Sequence, residues 1–267
     1  MENAWAAIGM TALAGLAMGI GGLLTFLTKK SNTKLLAISL GFSAGVMIYV
    51  SMMEIFGEAN ETLAGVLGEK AGNGATIAAF FGGVIFIALT DKLIHGKNNP
   101  HDFKLPDHKA SEREHALVNR HGGMYGVVAI ALHNFLEGIT AFVVALQDPF
   151  IAVPVLASVA IHNIPVGIAV ALPVYYSTGS KGKAFLYTVL TGLASPLGAV
   201  AAYFVLMPFL SDLVFGVLFA MVAGIMVFIS FDELLPAARE YGEHHLSIYG
   251  LFAGMAVMAV SLFIFAV

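Results

Sequence analysis

The sequence predicts an all-α integral membrane protein of eight transmembrane helices in a 3+2+3 inverted-repeat arrangement. Three observations lead there. The 267 residues are 58% hydrophobic and only 11% charged, where an ordinary soluble domain carries about 25% charged residues. The apolar runs reach or approach the ~20 residues that a helix needs to cross a bilayer. The chain also repeats itself: Ala44-Gly45-Val46-Met47-Ile48-Tyr49-Val50-Ser51-Met52-Met53-Glu54 recurs as Ala223-Gly224-Ile225-Met226-Val227-Phe228-Ile229-Ser230-Phe231-Asp232-Glu233, and His133-Asn134 is answered one span later by His162-Asn163.

Taken in order, the first span is Ala4–Leu27. Glu2 is the only early charge, so this stretch lacks the positive region of a cleaved leader. The second span is Leu35–Phe56 and the third Ala75–Ile94. A polar loop, Gly96–Gly123, follows. The central pair is Met124–Leu146 and Phe150–Tyr176. The last three spans are Ala184–Met207, Leu213–Leu235 and Ile248–Val267. The expected divisions are therefore 1–95 (spans one to three), 96–123 (a cytosolic, His-containing loop), 124–178 (central spans with the site) and 179–267 (spans six to eight).

Basic residues set the orientation. With both termini outside, every lysine and arginine except Lys70 falls on the inner side, and Glu58, Glu61 and Glu69 form an acidic outer loop. Spans two and seven then run in opposite directions, so the repeat is inverted. Inverted repeats with binding groups near the midplane characterise secondary transporters. The chain is expected in the cell (inner) membrane as a multi-pass protein. Topology accounts for the basic residues, so nothing points to nucleic acid.

There is no cysteine, which excludes disulfides and thiolate ligands. No HExxH helix motif and no Ser-His-Asp set is present, so an enzyme is not expected. Polar and ionisable groups deep in a membrane mark function by default, and the central pair carries several. His133 and Glu137 stand at i and i+4 and share a helix face, with Asn134 beside them. An imidazole and a carboxylate suit Zn²⁺ and neighbouring divalent ions. In the next span His162 and Asn163 recur, but the i+4 position is Val166, and Pro165 crowds the carbonyl of Ile161. Glu54, at the outer end of span two, reads either as an entrance carboxylate or as a solvated interfacial group. Asp232 and Glu233, at the inner end of span seven, either line an exit or mark the helix end at the headgroups; Glu233 is the repeat mate of Glu54. The loop histidines His95, His101, His108, His115 and His121 are too widely spaced for an ordered site and suggest loose metal binding; His244 and His245 are a weaker instance.

These residues resemble the ZIP (Zrt/Irt-like) divalent-metal transporters. The signatures are Ser39-Leu40-Gly41-Phe42-Ser43-Ala44-Gly45, His133-Asn134-Phe135-Leu136-Glu137-Gly138, His162-Asn163-Ile164-Pro165, Pro173-Val174-Tyr175 with Thr178-Gly179-Ser180-Lys181, and Asp232-Glu233-Leu234-Leu235-Pro236. The resemblance implies metal uptake toward the cytosol and a homodimer. It implies His133, Asn134, Glu137, His162 and Asn163 as metal ligands, and it permits a span-two side chain, Met47, as a soft one. Zn²⁺ or another divalent transition metal is then the substrate, with no organic cofactor.

Two departures stand out. The family usually has a glutamate where this chain has Val166, and usually another in span six where it has Ser195. Fewer carboxylates in low dielectric bind a dication less tightly, so a single-metal site of His133, Glu137 and His162 is expected. The central pair is expected to rock or slide against the two flanking bundles. A non-transporting metal-binding or sensor protein is the alternative that the lost glutamates support.

Overall fold

The computed structural model describes residues 2–27, 33–95, 112–147, 149–205, 207–209, 211–240 and 244–265, and every extended element among them is helical. Helix α1 is Glu2–Leu27 and α2 is Thr33–Val50. A five-residue π turn, Ser51–Ile55, leads directly into α3, Phe56–Leu67. Gly68, at φ 83°, turns the chain into α4, Glu69–His95. Helices α5 (Glu112–Gln147) and α6 (Pro149–Thr178) follow, then α7 (Lys181–Gly192) and α8 (Ala194–Val205). Helix α9 is Asp212–Ile229; a second π turn, Ser230–Leu234, joins it to α10 (Leu235–Glu240), and α11 is His244–Phe265.

Among the described residues, six helical runs are long and apolar enough to cross a membrane: Ala4–Leu24, Ala37–Leu67, Glu69–Thr90, Lys181–Val205, Asp212–Asp232 and His245–Ile264. Two shorter apolar stretches, Ile130–Leu146 and Val159–Ala171, lie within α5 and α6. Large apolar side chains such as Leu13, Phe81, Phe252 and Phe263 face outward, while His133, Asn134, Glu137, His162 and Asn163 are buried. That inside-out distribution suits a lipid solvent, in which exposed apolar surface costs nothing and polar groups need internal partners.

Three boundaries differ from expectation. The acidic stretch after span two is not a loop. Ala59 and Leu63, at i and i+4, are buried, with Leu63 against Gly216 of α9, and Phe56 meets Phe80 of α4 edge to face at 5.5 Å. One apolar stripe suffices to keep α3 helical while its glutamates point away. The loop after α4 is shorter than expected. Ser111-Glu112-Arg113-Glu114 has the sequence of a capping box, and α5 starts at Glu112, so His115 and His121 belong to helical backbone. His101 and His108 lie outside the described residues, as do the side chains of His95, His115, His121 and His244. Span six is divided at Leu193, because Pro196 has no N–H to offer the Gly192 carbonyl and crowds it.

Glycines set the packing, because without a Cβ two helix backbones can touch. A Cβ on Gly21 would strike the Ile164 carbonyl, and one on Gly167 the Met18 carbonyl, so α1 and α6 are in backbone contact. Gly198 and Gly138 make the matching contacts with Phe135 and Ser195, between α8 and α5. Gly15 and Gly192 face each other between α1 and α7. A second set joins α2 to α11 (Gly45 on Leu251, Gly254 on Phe42) and α9 to α4 (Gly224 on Phe80, Gly83 on Met221). Within each set the contacts come in corresponding pairs, and the two π turns occupy the same place in the repeated segment.

The described helices thus fall into two packing groups, one of α1, α5, α6, α7 and α8, the other of α2, α3, α4, α9, α10 and α11. No close contact of a described glycine links one group to the other. On one side of the boundary α2 packs on α6. On the other, an apolar cavity of about 400 Å³ separates Phe135, Ile139 and Ala202 from Phe86, Phe219 and Val222.

Candidate metal centre

The site lies where α5 and α6 meet. His133 and Glu137 share one face of α5, and His162 faces them from α6. One ligand atom from each of the three falls within 4.8 Å of the others, and all three side chains are buried. The two imidazoles stand edge to face, with ring centroids 5.8 Å apart and planes at 85°. His133 Nε2, His162 Nε2 and both Glu137 carboxylate oxygens are buried without a hydrogen-bond partner. Such a convergence of orphaned donor atoms is costly in an apolar interior. A dication would satisfy all of them together, with two nitrogens and a carboxylate oxygen suited to a borderline ion such as Zn²⁺.

Asn134 and Asn163 have a role that the sequence did not disclose. The Asn163 amide donates to the Ala14 carbonyl of α1 at 3.0 Å, and the Asn134 amide to the Thr191 carbonyl of α7 at 3.1 Å. Asn134 Nδ2 also lies 2.8 Å from the Met18 sulfur. The amides therefore tie the central helices to their neighbours. Both Oδ1 atoms remain buried and unpartnered, the state of an oxygen available to a cation.

Val166, the position at which the resemblance implies a glutamate, packs with Met18 and Val170 in a small apolar cluster. Its surroundings are methyl groups and a thioether. Ser195, the other departure, is buried with its hydroxyl unpartnered. Its backbone is the surface against which Gly138 packs.

Ser43 of α2 was legible only as part of a signature. Its hydroxyl lies 2.6 Å from His162 Nδ1. Met47, one turn further along α2 and so on the same face, is fully buried in the main apolar core. Glu54 and Asp232 are partly buried in the two π turns and are not part of the His133–Glu137–His162 group. The side chain of Glu233 lies outside the described residues. Lys181 reaches back to the Phe26 carbonyl at 3.2 Å, placing a cation at the C-terminus of α1.

Fold and site together define a polytopic membrane protein with a buried donor set of the kind that holds a divalent metal. The family model described as ZIP Zinc transporter matches residues 95–262. "Zinc transporter ZupT" of Streptococcus mutans is 52% identical over 264 residues, covering 99% of each chain. The protein of the same name from Oceanobacillus iheyensis is 52% identical over 270 residues and all of both chains, and that of Clostridium perfringens is 50% identical over 278 residues, covering 99% of this chain and 98% of its own. The chain belongs to the ZIP zinc transporter family, a family of transporters and not of enzymes.

Proposed function

We propose that this chain carries Zn²⁺, or another first-row divalent ion (iron, manganese or cobalt) or cadmium, into the cytosol through a single-metal centre of His133, Glu137 and His162. The observation that carries the reading is the convergence of three buried ligand atoms without partners. Asn134 and Asn163 present amide oxygens beside it, and Met47 adds a soft donor from α2. Glu54 draws metal from the acidic outer side, and Asp232 and Glu233 line the way inward.

In this reading the chain crosses the inner membrane eight times, with both termini outside. The crossings are α1, α2 with α3, α4, α5, α6, α7 with α8, α9 with α10, and α11, in the 3+2+3 order. Residues 1–95 hold the first three, 96–123 the cytosolic connection, 124–178 the metal-bearing pair and 179–267 the last three. The functional unit is a homodimer.

The glycine contacts support a moving unit larger than the central pair. Helices α5 and α6 are in backbone contact with α1 and α8, so α1, α5, α6, α7 and α8 travel together against the remaining helices.

A non-transporting sensor is the second reading, favoured by one observation: the apolar Met18–Val166–Val170 cluster. Metal counting by native mass spectrometry tests the centre directly. One ion per chain is expected; two fully occupied ions would overturn the single-metal assignment.

A further inference from the structure

We propose that Ser43 is a positioning residue for the metal site: its hydroxyl, reaching across from α2, holds the His162 ring by Nδ1 and so presents Nε2 to the ion. The proposal rests on the metal-centre reading given above. It also goes beyond it, because it makes the affinity of the centre depend on a residue of the opposite packing group.

The geometry is specific. The 2.6 Å separation between Ser43 Oγ and His162 Nδ1 is a short hydrogen bond, and Ser43 is completely buried. Other buried hydroxyls in this molecule behave differently. Thr11, Thr76, Thr188 and Ser230 each return their hydroxyl to the backbone carbonyl four residues back, the ordinary fate of a hydroxyl inside a helix. That of Ser43 crosses to an imidazole on another helix.

The chemistry follows from the ring. An imidazole that binds metal through Nε2 carries its proton on Nδ1, and that proton needs an acceptor. A partner at Nδ1 fixes both tautomer and ring orientation, and loss of such a partner typically lowers metal affinity by 10–100-fold. His162 Nε2 is the buried, unpartnered nitrogen left over for the ion.

The inverted repeat supplies an internal control. The residue one place before Ala44 is Ser43; one place before Ala223 it is Val222. Val222 is buried, and it lines the apolar cavity between the packing groups beside Phe135 and Ile139 of α5. The α9 helix therefore offers methyl groups to α5 where α2 offers a hydroxyl to α6. A serine at this position is not demanded by the helix framework, and the two histidines are not equivalent. Because Ser43 and His162 lie on opposite sides of the boundary, any sliding there removes the orienting contact and loosens the ion.

The test uses the full chain in proteoliposomes, as wild type, Ser43→Ala and Ser43→Thr. It measures equilibrium Zn²⁺ affinity, the KM and maximal rate of Zn²⁺ uptake, and the visible absorption spectrum of the Co²⁺-loaded protein. The expected result is a 10–100-fold weaker affinity and a raised KM in Ser43→Ala, with an altered Co²⁺ spectrum. Ser43→Thr, which keeps the hydroxyl, restores all three toward wild type. Wild-type affinity and spectrum in Ser43→Ala would overturn the proposal, and so would equal impairment of both variants, which would mean that packing volume matters and the hydroxyl does not. If wild type itself binds no Zn²⁺, the metal-centre reading fails and the proposal falls with it, an outcome distinct from a binding wild type with an indifferent Ser43→Ala.

Discussion

Asn163 donates its side-chain amide to the Ala14 carbonyl at 3.0 Å, fastening the second helix of the central pair to α1. Asn134 makes the corresponding bond to Thr191 on α7. Each asparagine is thus a clamp through its nitrogen and a free acceptor through its oxygen, which couples the integrity of the site to the packing of the helices around it.

Removing either clamp costs stability as well as affinity. Asn163→Ala and Asn134→Ala should each lower stability by about 1 kcal/mol, the scale of interhelical hydrogen bonds in membranes. Thermal denaturation of detergent-solubilised, metal-free protein followed by size-exclusion chromatography measures this. An unchanged melting temperature in metal-free protein would mean that the amides serve only the ion.

Backbone contact at Gly167 leaves no room for a methyl group. Gly167→Ala places a Cβ against the Met18 carbonyl and should cost about 1–3 kcal/mol or more through forced separation of α1 and α6. Gly9→Ala, which meets nothing within 4 Å, should be neutral or slightly stabilising, since alanine is the better helix former. Equal yields and melting temperatures for the two variants would contradict the packing.

Val166→Glu inserts a carboxylate into the apolar cluster of Met18 and Val170. Without metal the variant should melt lower than wild type, because a buried, unpaired carboxylate is costly. Added Zn²⁺ should raise its melting temperature by more than it raises that of wild type. Melting curves with chelator and with excess Zn²⁺ provide both numbers.

Acid should weaken metal binding. The ligands must be deprotonated to bind, so protonation of His133, His162 or Glu137 competes with the ion and Kd should rise as pH falls. Equilibrium Zn²⁺ titrations at pH 7.5 and pH 5.5 check the sign, and tighter binding at the lower pH would rule out this ligand set.

Much of this was legible in the sequence because a membrane makes the code simple. Apolar runs marked α1, α9 and α11, and polar residues inside such runs marked His133, Glu137 and His162. The outer part of the second run was not legible, because Glu58 and Glu61 suggested a loop while only the sparse stripe of Ala59 and Leu63 keeps α3 helical. The division at Leu193 follows from Pro196, but its use, bringing Gly192 onto Gly15, depends on a partner far away in the chain. Met18 carries no mark in the sequence, and nothing local shows that it lies beside Asn134 and Val166. The asparagines were expected as ligands because the resemblance implies it; that their nitrogens grip Thr191 and Ala14 is a tertiary fact. Ser43 was one letter of a signature until α2 and α6 were placed side by side.

The central claim is that this donor set moves metal across the membrane. Its most direct test is Zn²⁺ uptake into proteoliposomes containing wild type, His133→Ala or Val166→Glu, with Fe²⁺, Mn²⁺, Co²⁺ and Cd²⁺ compared. The account predicts saturable uptake by wild type, its loss in His133→Ala, and a changed ion preference in Val166→Glu. No uptake by wild type, with uptake appearing in Val166→Glu, would contradict it and leave a metal-binding protein built on a transporter scaffold.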